Sequence, residues 1–293
     1  MFEKCELCGF RCGVDRNKVQ GNCRCGTQPK LALVSLHKWE EPCISGENGS
    51  GTIFFSGCNF SCIFCQNYKI SQELYGKEIT VERLAEIFIE QQEKNANNIN
   101  LVSPTPYVPL IVEAIKKAKE KGLKIPIVYN TNGYDSIEAL KMLDGYIDVY
   151  LPDLKYYDSD IAQKYSKCYN YFENATVAIK EMYRQVGTPK FDKNGIIKSG
   201  LIIRHLILPG NIMQTKKILN WIKENLPKEV YISIMAQYFP TYKAKTDEKI
   251  NRKITQREYD VVCDLISDFE NGYIQELGEH EEEYVPNFNL DGI

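Results

Sequence analysis

The chain has 293 residues, a net charge of -3, 43% hydrophobic and 26% charged residues. That balance permits a packed core and excludes disorder as the default reading. It also gives no charge excess that would point to nucleic acid or to an anionic membrane surface.

The first ten residues lack the apolar core of a signal peptide, and no window approaches the roughly 18 apolar residues of a membrane span. The sequence therefore reads as cytoplasmic, with no membrane and no nucleic-acid partner. In such a reducing compartment the 11 cysteines are expected to bind metal or do redox chemistry where they lie close together, and not to form disulfides.

In chain order, residues 1–48 form a cysteine-rich extension. Cys5, Cys8, Cys12 and Cys23 follow one another with two, three and ten residues between them, and Cys25 is a spare. Four thiols this close predict a metal site. A closed zinc centre and a second iron–sulfur cluster both fit the spacing, and the nearby glycines suit the tight turns of either. Cys43, Cys168 and Cys263 are isolated and read as ordinary thiols.

Residues 49–275 alternate strand-like and helix-like segments. Residues 51–57 predict a buried strand, from β-branched and aromatic residues between glycines. A helix is expected to start at Thr80, with Thr80 as cap and Arg83 where a capping glutamate would stand. Then come a strand over 99–102, a helix over 108–121 closed by Gly122, a strand over 125–129 and a helix over 136–143. They are followed by a strand over 146–151, a helix over 170–185, a strand over 201–208, a helix over 215–225, a strand over 230–235 and a helix over 255–269.

These six βα units with continuous apolar strands predict an α/β fold, a partial (β/α)6 TIM-like barrel. Asn130, Thr131, Asn132, Asp153, Lys155 and Gln237 fall just past strand ends, where barrels bind ligands. Residues 276–293 form a tail, whose acidic run over 279–283 reads as solvated.

The central motif directly follows the first of these strands. Cys58, Cys62 and Cys65 have the spacing C-x3-C-x2-C. Three thiolates on one loop can hold a [4Fe-4S] cluster and leave its fourth iron open. A structural zinc site would want four closed ligands, and none of the three histidines, His37, His205 and His280, lies near this loop.

With Gln66 and Asn67 behind it, this loop resembles the signature of the radical S-adenosylmethionine superfamily. More closely, the chain resembles its PflX-like, pyruvate formate-lyase activating enzyme-related group. The resemblance extends over Cys5–Gly13, Glu40-Glu41-Pro42, Phe54–Cys58, Asn130–Gly133, Pro152–Tyr156, Arg204–Gly210 and Met235–Tyr238.

The resemblance implies a cluster on Cys58, Cys62 and Cys65 whose open iron binds S-adenosylmethionine. It implies an adenine contact at Phe64. Asn130 and Asn132 would reach the ribose or the carboxylate, and Lys155 would pair with the carboxylate beside Asp153. Where the superfamily places an acidic amino-group ligand, this chain has Ser103 and Thr105, whose hydroxyls carry no charge. Arg204 is expected to face the lumen, either on the cofactor carboxylate or in an ion pair with a barrel acid; His205, one residue on, then faces away.

The implied activity is reductive cleavage of S-adenosylmethionine to a 5′-deoxyadenosyl radical for hydrogen abstraction. The electron would come from a donor such as flavodoxin or ferredoxin. The implied substrate is a glycyl-radical enzyme; modification of a peptide or small molecule is the rival reading. A non-enzymatic iron–sulfur electron carrier would instead need four protein ligands.

Overall fold

The computed structural model describes residues 2–278 and 285–293, so the acidic run over 279–283 lies outside the described residues. The strands are β1 (Lys30–His37), β2 (Ser50–Phe55), β3 (Lys77–Glu78), β4 (Ile99–Val102), β5 (Ile127–Thr131), β6 (Val149–Pro152), β7 (Lys190–Phe191), β8 (Ile197–Leu206), β9 (Tyr231–Met235) and β10 (Gly272–Ile274). The helices are α1 (Pro42–Ser45), α2 (Tyr68–Ser71), α3 (Val81–Glu93), α4 (Val108–Glu120), α5 (Ile137–Leu143), α6 (Ser159–Ser166), α7 (Tyr171–Val186), α8 (Ile212–Asn225) and α9 (Gln256–Ile266).

The sheet order is β10-β9-β8-β6-β5-β4-β2-β1-β3, with β7 paired to β8. All pairs from β10 to β2 are parallel, while β1 is antiparallel to both β2 and β3. This is the expected partial barrel: β2, β4, β5, β6, β8 and β9 are the six anticipated strands, and β10 extends the parallel series. Strand β1 falls inside the span 1–48, yet it is hydrogen-bonded into the sheet; residues 2–29 carry no strand of that sheet and pack Phe2, Cys5, Leu7, Cys23 and Cys25 into the core.

Every residue of β2, β4, β5 and β6 is buried. Helices cover one face of these strands and side chains fill the lumen on the other, which is why the strands read as unbroken apolar runs. Helix α3 buries Val81, Leu84, Ala85, Ile87, Phe88 and Gln91 at helical spacing. Each large aliphatic or aromatic side chain so buried stabilises by about 1.5–3 kcal/mol. Thr80 caps α3 by accepting from Arg83 N, and Thr255 with Glu258 forms a full capping box on α9.

Several boundaries differ from expectation for local reasons. Pro126 has no N–H to give to the ladder, so β5 starts after it and carries Asn130 and Thr131 inside the strand. Strand β8 starts at Ile197, four residues before the expected 201, running through Gly200 at φ 129, where a Cβ would lie 2.3 Å from Pro189 Cα. Helix α6 is unanticipated; its cap is Asp158, which accepts from Asp160 N and Ile161 N. Among the described residues no helix is long and apolar enough to cross a membrane.

Candidate functional site

The loop after β2 carries Cys58, Cys62 and Cys65 and is pinned from three sides. Ser61 N donates to Ser166 O at 3.1 Å and Ile63 N to Tyr165 O at 2.9 Å, both at the end of α6. Ala244 N donates to Ile63 O at 2.8 Å from the segment after β9. Asn132 Nδ2 donates to Asn59 Oδ1 at 2.6 Å from the end of β5.

Each loop sulfur has a polar neighbour. Cys58 Sγ accepts from Phe60 N at 3.4 Å and from Asn132 Nδ2 at 3.6 Å. Cys62 Sγ lies 2.9 Å from Ser166 Oγ, and Cys65 Sγ 3.2 Å from Ser71 Oγ. Burial pushes all three thiols up, Cys62 to about 12. A bare thiolate is therefore disfavoured here, and a cationic inorganic centre is the partner that would offset that cost. Three thiols from one loop with hydrogen-bond donors aimed at sulfur suit an iron–sulfur cluster.

The loop forms one wall of a cavity of 890 Å³. Cys62, Phe64 and Cys65 line it, as do Asn130, Asp153, Lys155, Arg204 and Gln237. Phe64 packs edge-on against Tyr238, ring centroids 5.9 Å apart.

Opposite the loop, Asp153 accepts from Lys155 Nζ at 2.5 Å and from Arg204 Nε at 3.0 Å. Arg204 also donates to Asn130 Oδ1 at 2.6 Å and to Glu40 Oε2 at 3.4 Å. Burial alone would raise the Asp153 carboxyl, but Lys155 and Arg204 outweigh it and hold the group below its usual range. Arg204 thus faces the lumen with its fork on two barrel acids. His205 faces away, its ring nitrogens meeting Leu154 O at 2.7 Å and Thr215 Oγ1 at 2.9 Å.

Two expected contacts fall elsewhere. Thr105 is buried, and its hydroxyl donates to Asp135 Oδ1 at 2.8 Å, because the chain turns away from the strand end at Ser103 (φ 59) and Pro104. Neither Ser103 nor Thr105 lines the cavity, and Asn132 supports the loop instead of the wall.

The cavity also holds groups that sequence reasoning passed over. Glu40 and Glu41 enter its wall from the segment after β1, and burial raises both carboxyls. Glu41 Oε2 has no hydrogen-bond partner among the described residues. Their place in the Glu40-Glu41-Pro42 stretch of the resemblance was the signal, and it came with no role attached. Ser166 and Ser71 had none, since a serine beside a sulfur is a tertiary contact.

Comparison with known proteins places this geometry. Residues 52–222 match the family model described as the Radical SAM superfamily. The chain is 33% identical over 273 residues to MJ0674 of Methanocaldococcus jannaschii, covering 90% of this chain and 75% of that one. Among solved structures, SuiB of Streptococcus suis bound to precursor peptide SuiA gives a TM-score of 0.53 at 16% identity, over 76% of this chain and 47% of that one. A mutant spore photoproduct lyase gives 0.56 at 12% identity, over 84% and 80%. These two likenesses show the fold, and the chain spans about half the length of SuiB.

Proposed function

Since the chain belongs to the radical SAM superfamily, we propose that Cys58, Cys62 and Cys65 hold a [4Fe-4S] cluster and that the adjoining cavity receives S-adenosylmethionine and a substrate. The observation that carries this reading is the cavity itself: two of the three loop cysteines and the Asp153–Lys155–Arg204 group share its wall.

When bound, the reduced cluster supplies one-electron cleavage of S-adenosylmethionine to methionine and a 5′-deoxyadenosyl radical, with an electron from a donor such as flavodoxin or ferredoxin. The protein's own residues position and enclose. Lys155 and Arg204 offer the N–H donors a cofactor carboxylate needs. Asp153 and Glu40 hold Arg204 in place and keep its charge compensated before a ligand arrives. Phe64 and Tyr238 form an aromatic corner for an adenine face. Glu40 and Glu41 stand in the wall as acidic groups in a site that lacks the expected acidic ligand at Ser103 and Thr105.

The substrate we favour is a protein or peptide segment, with hydrogen taken from a backbone or side-chain carbon; activation of a glycyl-radical enzyme is one form of this. The cavity of 890 Å³ lies at the upper end of the range of about 300–1,000 Å³ for small-molecule sites, which leaves room beside the cofactor. SuiB, which shares the fold, binds a precursor peptide.

The test is anaerobic reconstitution with iron and sulfide, followed by dithionite and S-adenosylmethionine. The expected product is 5′-deoxyadenosine. Its absence from a protein with full iron content refutes the reading. A glycyl radical seen by electron spin resonance on a co-incubated protein would select the activating role over peptide modification.

A further inference from the structure

A second and much smaller cavity, about 20 Å³, adjoins the cofactor loop. Its wall brings together Cys5, Cys8, Cys12 and Cys23, with Asn59 from the loop and Thr105. The fifth nearby thiol, Cys25, hydrogen-bonds the Cys23 side chain but does not line this cavity. Cys25 is 3% exposed, its Sγ donates to Cys23 O at 3.2 Å, and it packs where a Cβ on Gly57 would come within 2.3 Å of it.

The size of this cavity discriminates between metals. Its volume suits about one water-sized body, whereas a cubane core brings in four irons and four sulfides. Among the described residues, no three His, Cys, Asp or Glu side chains converge on a point that an ion could occupy. The four sulfurs must therefore turn inward to meet an ion, and a single ion asks less room of the site than a cubane does.

Cysteine sulfurs can be drawn together by turning χ1 between staggered wells. Enlarging the cavity would instead move backbone held by Cys5 N to Val14 O at 2.9 Å, Gly13 N to Cys5 O at 2.9 Å and Gly9 N to Tyr134 O at 3.0 Å.

We propose that Cys5, Cys8, Cys12 and Cys23 form an all-thiolate centre for a single ion of the zinc class, and that this centre braces the loop carrying Cys58. Four soft thiolates with no open position make a closed, structural site. The brace is short. Asn59, next to Cys58, lines the ion cavity and donates to Tyr134 O at 3.4 Å. Gly9 N donates to the same carbonyl, Ser136 N donates to Leu7 O at 3.2 Å, and Cys8 bridges to Asp135. The inference rests on these cysteines alone and not on the reaction proposed for the barrel.

The test is metal content and ligand type in the full-length protein purified without added metal. About one zinc per chain is expected by mass spectrometry, surrounded by four sulfurs at about 2.3 Å in X-ray absorption. The C8S/C23S variant should lose most of that zinc and C25S should keep it. Zinc unchanged in C8S/C23S, or lost in C25S, overturns the assignment. So does a shell with nitrogen or oxygen ligands, or iron and acid-labile sulfide beyond one cluster per chain. The absorption measurement on the unmodified protein decides even if C8S/C23S does not fold. Failure to form 5′-deoxyadenosine would leave this result untouched.

Discussion

The two cysteine groups live in opposite circumstances. Those of the loop 58–65 hang from a sheet whose strands β2, β4, β5 and β6 are buried throughout. Those of residues 2–29 belong to a stretch with no helix or regular strand. In the barrel, apolar burial makes the scaffold and the thiols are passengers on it. In the extension the thiols are accompanied by backbone hydrogen bonds, by the buried Arg16, which donates to Cys25 O and Pro106 O and lies over the Phe2 ring, and by a few apolar side chains, Phe2, Leu7 and Phe10, packed on the main core. On the two proposals made above, the same residue type serves the reaction in one region and the framework in the other.

The contrast can be broken most directly at Cys62. C62A should abolish both cluster absorbance and 5′-deoxyadenosine formation, yet leave the thermal midpoint close to that of the unmodified protein. A large fall in the midpoint, read by calorimetry, would mean that the loop thiols are framework after all.

A smaller effect should follow at Arg204. R204A leaves the Asp153 and Glu40 carboxylates buried without their shared cation, and stability should drop by about 3–5 kcal/mol in urea unfolding. R204K should recover part of it, because an ammonium restores charge but not the fork.

His205 sharpens the barrel side of the comparison. Burial pushes its imidazole down to about 4, so the folded state keeps it neutral. Its contribution is present above the ordinary value of about 6.5 and is lost as pH falls from there toward 4, by about 3 kcal/mol in all. Unfolding free energy measured across that range should show this slope, and H205Q should flatten it.

The smallest expected change is T255A. It removes the capping box of α9 and should cost about 1 kcal/mol, with 5′-deoxyadenosine formation unaltered.

Much of the barrel was legible because its signals are local. Continuous apolar strands, the helix cap at Thr80, and three cysteines within eight residues all lie inside single elements. Strand alternation put Arg204 and His205 on opposite faces, and the resemblance turned Arg204 to the lumen. Where a tertiary contact decides, legibility stopped. Thr105 stands at a strand end but turns to Asp135, and Asn132 turns to the loop. Helix α6, whose end supports Cys62 through Ser166, carried only the weak signal of Asp158.

The order of elements, the parallel sheet and the cofactor loop were therefore determined by the sequence by itself, because hydrophobic period and cysteine spacing act over a few residues. Which rim groups share a cavity and which acids compensate Arg204 were decided only by the tertiary structure. The crossovers bring together residues far apart in the chain, 164 positions for Glu40 and Arg204, and no short-range pattern records that meeting.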